Sequence, residues 1–160
     1  MGNNHFSLKL AIAWLLVLTL YGGNLFGQQA NEMATEMSSV KSHMDADIQW
    51  GPCPPFMPEG CGIAVLHGDP AKNNVDIFFK VQANSDIPKH WHNSAERMIL
   101  VSGKLFVTYD GEKEVVMNTG SYAFGPASKP HVARCGDDGP CVIFIAFEEP
   151  LDAFPIVEKE

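Results

Sequence analysis

From residue 61 onward, apolar and polar positions alternate in short runs separated by turn residues. The runs at 61–67, 75–82, 87–92, 96–101, 104–109, 114–117, 121–124, 131–135 and 141–147 read as strands, because side chains on a strand alternate faces with a period of two. Gly68-Asp69-Pro70 and Asp110-Gly111 carry turn chemistry, the second a hairpin signal. No long stretch after residue 50 repeats at the helical period. About nine or ten short strands in succession predict an all-β fold, a single jelly-roll β-barrel. The barrel is expected over residues 48–150, with 151–160 a C-terminal tail. Leu100, Leu105, Phe124 and Phe144 are its expected core. No internal repeat is visible, which argues for one barrel and not two.

The chain before the barrel divides in two. Residues 1–27 have the pattern of a secretory signal peptide: Lys9 near the start, an apolar run from Leu10 to Leu20, then Gly22, Gly23 and Gly27. The apolar run falls short of the ~20 residues a membrane-spanning helix needs. A secreted or periplasmic protein, with no membrane attachment after signal removal, is therefore expected; the competing reading is a retained anchor. Residues 28–47 form a polar spacer, although Met33, Met37, Val40 and Met44 recur at helical spacing and would allow a short docked helix. Residues 50–58 are too rich in proline for a helix or a central strand. They should run along the barrel edge or over its mouth, with Trp50 and Phe56 either at a pocket entrance or simply packed.

Composition changes this picture little. A chain of 160 residues, 46% of them hydrophobic, suits one domain with flanking segments. The formal net charge is -8, and signal removal takes away Lys9 and no acid. So acidic a surface argues against a nucleic-acid partner and against an anionic membrane surface. Four cysteines follow the signal, and in a secreted chain disulfides are their default. The favoured pairs are Cys53 with Cys61 and Cys135 with Cys141, the latter flanking a turn that would set two strands side by side. The competing role for Cys135 is a soft metal ligand or reactive thiol.

The chemistry gathers around His90-Trp-His92. Two histidines at i and i+2 share one face of a strand, so both imidazoles can reach one metal ion. Glu96 shares their parity but would lie ~20 Å away along one extended strand. Asn93-Ser94-Ala95 must turn the chain and bring Glu96 back on a neighbouring strand, with Gly103 at the next reversal. The spacing is His-x-His-x3-Glu-x6-Gly. A second stretch, Gly120-Ser-Tyr-Ala-Phe-Gly-Pro126-Ala-Ser-Lys-Pro-His131, reads Gly-x5-Pro-x4-His. The other histidines have plainer roles: His5 lies in the signal, His43 in the spacer and His67 at a strand end.

These two stretches resemble the paired motifs of the cupin superfamily, small β-barrels with a metal site inside. The resemblance covers 84–135, about a third of the chain. It implies that His90, His92, Glu96 and His131 are metal ligands. Asn84 and Ser128 stand where that pattern has glycine, and Cys135 where it has asparagine. The first two departures bear on loop geometry, since asparagine tolerates the left-handed conformation better than most residues. None removes a ligand.

Three imidazoles and one carboxylate suit a divalent ion, Fe²⁺, Mn²⁺, Ni²⁺ or Zn²⁺, and affinity order does not choose among them. Two function classes follow from the resemblance. One is a small metalloenzyme acting on an oxygenated organic substrate, of dioxygenase, decarboxylase, isomerase or lyase type. The other is a non-catalytic small-molecule-binding or sensory module. Retention of all four ligand positions favours the enzyme. No catalytic acid or base stands out; Tyr122, sharing parity with Phe124, and Lys129, beside the second motif, receive no role. Open edge strands and the resemblance together imply a homodimer.

Overall fold

The computed structural model describes residues 37–157. The chain divides into two units at Val40, and the architecture below is that of the second, from Lys41 onward. The expected signal peptide and Met33 lie outside the described residues. Residues 41–50 contain turns and no helix, and Met44 is exposed, so helical spacing of methionines there produces no docked helix.

Among the described residues there are eleven strands and no helix. One sheet runs β1 (Gly51–Pro52), β2 (Gly62–His67), β3 (Val75–Val81), β10 (Cys141–Phe147), β5 (Glu96–Ser102), β8 (Tyr122–Gly125). The other runs β11 (Phe154–Pro155), β4 (Asp86–Trp91), β9 (His131–Cys135), β6 (Lys104–Tyr109), β7 (Val115–Asn118). All pairings are antiparallel. The inner faces of the two sheets supply the core, which includes Ile77, Leu100, Leu105, Ile143 and Phe147. Nine expected strands are present, and two short ones are added at the edges.

Several connections cross the barrel where the sequence suggests hairpins. β4 and β5 lie in opposite sheets, so Asn93-Ser94-Ala95 carries the chain from one sheet to the other and Glu96 faces the paired histidines from the far side. Gly103, at φ 81°, likewise passes the chain from β5 to β6 in the other sheet. A side chain there would meet the Pro140 carbonyl oxygen at 2.9 Å. Cys135 and Cys141 are bonded, but on strands of different sheets and not side by side, so this disulfide ties the two sheets together. Cys53 and Cys61 are bonded as well, which leaves neither Cys135 nor any other described cysteine free as a ligand or thiol.

Two of the four expected core residues sit elsewhere. Phe124 is 55% exposed and its parity mate Tyr122 is 62% exposed. The inward positions on β8 are Ala123, packed on the core, and Gly125, where Tyr109 and Glu96 fill the space a side chain would need. Phe144 points to the outer face of the six-stranded sheet, into a smaller cluster with Ala64, Phe78 and Val142. Ile48 and Trp50 cover that cluster, and Lys80 lies 4.0 Å from the Trp50 ring centre. The proline-rich segment thus divides its aromatics. Trp50 packs outside, while Phe56 approaches His90 with ring centres 5.9 Å apart.

Candidate metal centre

Neighbouring strand ends position the candidate ligands. His90 on β4 is the direct cross-strand partner of His131 on β9. His92 follows β4 by one residue, and Glu96 begins β5 on the opposite sheet. All four side chains are buried. The three histidines place one ring nitrogen each within 4.8 Å of one another, a cluster able to hold a metal ion. Glu96 is not one of these three but lies beside them: its Oε1 is 3.4 Å from His92 Nε2 and its Oε2 is 3.6 Å from His131 Nε2.

The other nitrogen of each imidazole decides what this cluster can do. His90 Nδ1 donates to the Pro88 carbonyl at 2.7 Å, His92 Nδ1 to that of Asp152 at 2.5 Å, and His131 Nδ1 to that of Lys129 at 3.2 Å. A carbonyl oxygen only accepts, so each Nδ1 carries the hydrogen and each neutral ring keeps a lone pair on Nε2. Burial and the neighbouring imidazoles push the His90 pKa down to about 3. Burial also lowers that of His131, although Glu96 opposes it. Neutral, preoriented imidazoles with free lone pairs are what metal ligation requires. His92 Nε2 is buried without a hydrogen-bond partner, an expensive arrangement unless something else satisfies it. The donor set therefore fits a divalent ion.

Three further residues shape the site and are not conspicuous in the sequence. Tyr109, the last residue of β6, is paired in register with His131, their rings 4.9 Å apart. Its hydroxyl is buried without a partner. Burial, reinforced by Glu96 and Glu112, raises its pKa above the ordinary phenol value and keeps it a neutral donor. The inward alternation Leu105, Val107, Tyr109 was the available signal. Gly125 gives this hydroxyl its room, since a β-carbon there would fall 2.4 Å from Tyr109 Oη and 3.0 Å from Glu96 Oε2. Asp152 belongs to the segment expected as a tail, which instead returns along β4 as β11, with Phe154 stacked on Trp91. Its carboxylate accepts from the Asn93 backbone at 3.0 Å and from Asn93 Nδ2 at 2.6 Å, fixing the carbonyl that holds His92.

The remaining named residues lie away from the cluster. Tyr122 faces outward. Lys129 pairs with Glu112. His43 sets its ring edge against Phe78, ring centres 6.2 Å apart, and His67 ends β2. Asn84 and Ser128 adopt φ of 60° and 59°, the left-handed backbone that glycine would supply at those two motif positions.

A two-sheet barrel with a buried histidine–carboxylate cluster at one end of its cavity defines the class. Residues 77–147 match the cupin domain family, and with the two-sheet fold this supports membership of the cupin superfamily. Among solved structures it is similar to the polyketide cyclase RemF from Streptomyces resistomycificus, at TM-score 0.63 and 19% identity, over 78% of this chain and 89% of that one. It is also similar to the DMSP lyase DddQ from Ruegeria pomeroyi, at TM-score 0.60 and 18% identity, over 71% and 64%. Oxalate decarboxylase from Bacillus subtilis matches at TM-score 0.54 and 15% identity, over 77% and 34%. The chain spans 63% and 64% of the two DMSP lyase chains it matches, and at such identities the likeness is one of fold. No curated protein matches it in sequence.

Proposed function

We propose that this protein is a secreted or periplasmic metalloenzyme with a divalent ion, Fe²⁺, Mn²⁺, Ni²⁺ or Zn²⁺, on His90, His92, Glu96 and His131. It acts on a small oxygenated organic substrate in a dioxygenase, decarboxylase, isomerase or lyase reaction. The observation that carries this reading is the set of three Nδ1–carbonyl hydrogen bonds, which leaves three lone pairs and one carboxylate converging from two sheets. When bound, the ion supplies Lewis acidity toward an oxygen of the substrate. The chain's own part is to orient the imidazoles, to exclude water with apolar walls, and to offer the Tyr109 hydroxyl as a neutral donor. Fold neighbours described as a lyase, a decarboxylase and a cyclase support an enzyme over a binding module.

Two disulfides support an oxidising compartment, in keeping with removal of residues 1–27 as a signal. A homodimer is proposed through the edge strand β8, where Tyr122 and Phe124 stand exposed beside Ile99. Its test is the solution mass at micromolar concentration. A dimer that Phe124→Lys dissociates is expected; a monomer refutes it.

The test of the site is elemental analysis of protein purified without added metal, with His90→Ala and His131→Ala beside it. About one ion per chain is expected, falling below a tenth in each variant. Unchanged metal content in both variants would show that the ligands are elsewhere. Oxygen uptake and product analysis with a panel of small acids and phenols then test turnover. A retained metal without turnover across the panel would favour the binding module.

A further inference from the structure

The candidate centre occupies one end of a cavity of ≈ 330 Å³ whose remaining walls are almost wholly apolar. Ile63, Ile77, Phe79, Val107 and Ile145 line its body, and Pro54 and Met57 belong to the proline-rich segment beside it. Among the described residues, no lysine, arginine, serine, threonine, asparagine or glutamine lines it. Nearby cations are engaged elsewhere: Lys129 with Glu112, Lys89 with Asp110 at 2.6 Å, and Arg97 with Glu148. Apart from the four candidate ligands, the polar side chains of the wall are Tyr109 and Asp152, and Asn93 takes both carboxylate oxygens of Asp152. That leaves the Tyr109 hydroxyl, 6% exposed and without a hydrogen-bond partner, as the one uncommitted side-chain donor among the described residues of the wall.

This lining excludes as well as admits. A polyol or a dianion entering the body of the cavity would shed its hydration against isoleucine and phenylalanine, with nothing there to replace it. An apolar body gains by the same transfer. A single oxygen suffices for the polar end, where it meets a waiting donor. At ~30 Å³ per water, the cavity has the volume of roughly eleven waters, which limits the occupant to a compact molecule.

Resting on the metal-site reading above, and narrowing its substrate class, we propose that the cavity takes a compact, largely apolar phenol or enol. Its one oxygen lies at the histidine–glutamate end and accepts a hydrogen bond from Tyr109. Tyr109 is thereby a substrate-contacting residue, and Gly125 the notch that lets its hydroxyl reach the site.

The test is equilibrium binding followed by fluorescence and calorimetry, on full-length protein with its metal content measured in parallel. The probes are 2-naphthol, naphthalene, oxalate and gluconate. Zinc-loaded and metal-stripped protein are compared, each as wild type and Tyr109→Phe. In wild type, 2-naphthol is expected to bind more tightly than naphthalene, and oxalate and gluconate more weakly than either. In Tyr109→Phe, 2-naphthol should lose about 3–10-fold in affinity, the usual range for one hydrogen bond, while naphthalene is unchanged. Tighter binding of oxalate or gluconate than of 2-naphthol overturns the apolar class, as does absence of saturable binding by either naphthyl probe. An equal loss for 2-naphthol and naphthalene in the variant overturns the donor role. The wild-type comparison needs no variant to fold. Protein that holds no metal yet shows the expected probe pattern would defeat the metal-site reading and leave this inference standing. Metal bound at the histidines together with a preference for oxalate would do the reverse.

Discussion

The two ends of the barrel join the same two sheets by different means. At one end, Cys135 on β9 and Cys141 on β10 are fully buried and covalently bonded across the sheets, with Leu105 and Val81 as their cross-strand neighbours. At the other, the same strands carry His131 and Phe147, and the sheets meet through His90, His92 and His131 on one side and Glu96 on the other. The first end is apolar, satisfied and closed. The second buries polar atoms without partners, which a folded chain tolerates when a ligand supplies the missing contacts. A metal there would act as a second cross-tie, made and broken by chemistry that leaves the disulfide untouched. The closed end holds in register the strands that carry the candidate ligands at the open end.

The largest effect should come from the removable tie. A ligand that binds only the native state, present at a thousand times its dissociation constant, adds about 4 kcal/mol of stability. Denaturant unfolding with metal and after chelation should differ by that order in wild type and by nothing measurable in His131→Ala. Equal stability of loaded and stripped wild type would mean that no ion joins the sheets. Severing the covalent tie should come next. Cys135→Ala/Cys141→Ala loses about 2–3 kcal/mol from loop closure alone, plus packing at two fully buried positions. Metal stoichiometry should survive, because the change lies at the opposite end of the strands. Loss of metal together with the disulfide would show that the ends are not separable.

Acid should find the two ends unequal. In metal-free protein, His90 has a folded pKa near 3, and that of His131 is lowered in the same direction. Below pH ~6.5 the unfolded chain takes up protons that the folded chain refuses, so stability is full above that pH and falls as pH drops toward the folded value. One such histidine costs about 2 kcal/mol by pH 5. Urea midpoints of stripped protein between pH 7.5 and 5 should decline accordingly, and His90→Gln should flatten the slope. The disulfide double variant should shift the whole curve without changing its shape. A flat wild-type profile would mean that the folded chain takes up protons at these imidazoles as readily as the unfolded chain does.

How much of this was visible in the chain follows the same division. Strand positions and inward parity were legible wherever a run alternated cleanly, as from Lys104 to Tyr109, because a half-buried strand writes its two faces into the sequence. Both disulfide pairs were legible from short separations. What was hidden is which sheet each strand joins. A turn such as Asn93-Ser94-Ala95 looks alike whether it closes a hairpin or crosses the barrel, so Glu96 was expected beside the histidines and stands opposite them. Phe124 misled because hydrophobicity alone does not show that Tyr109 and Glu96 already fill the space before Gly125. Asp152 was hidden for another reason: its carbonyl acts on His92 across a separation of 60 residues, and a backbone oxygen leaves no mark in residue type.

That last contact supplies the smallest and most local prediction. Asn93 grips the Asp152 carboxylate through both its backbone and its amide, and the Asp152 carbonyl fixes the tautomer and direction of His92. Asn93→Ala removes the amide contact and leaves every candidate ligand in place. Loss of such an outer support typically costs about 10-fold in metal affinity, with little change in the stability of the metal-free protein, since Asn93 is exposed. Competition against a chelator of known affinity measures it. A change confined to the stability of stripped protein would make the Asn93–Asp152 pair a loop clasp and no more. A loss confined to metal affinity would show that the open end is tuned from outside its own ligand set, which the closed end, cross-linked and fully packed, has no need of.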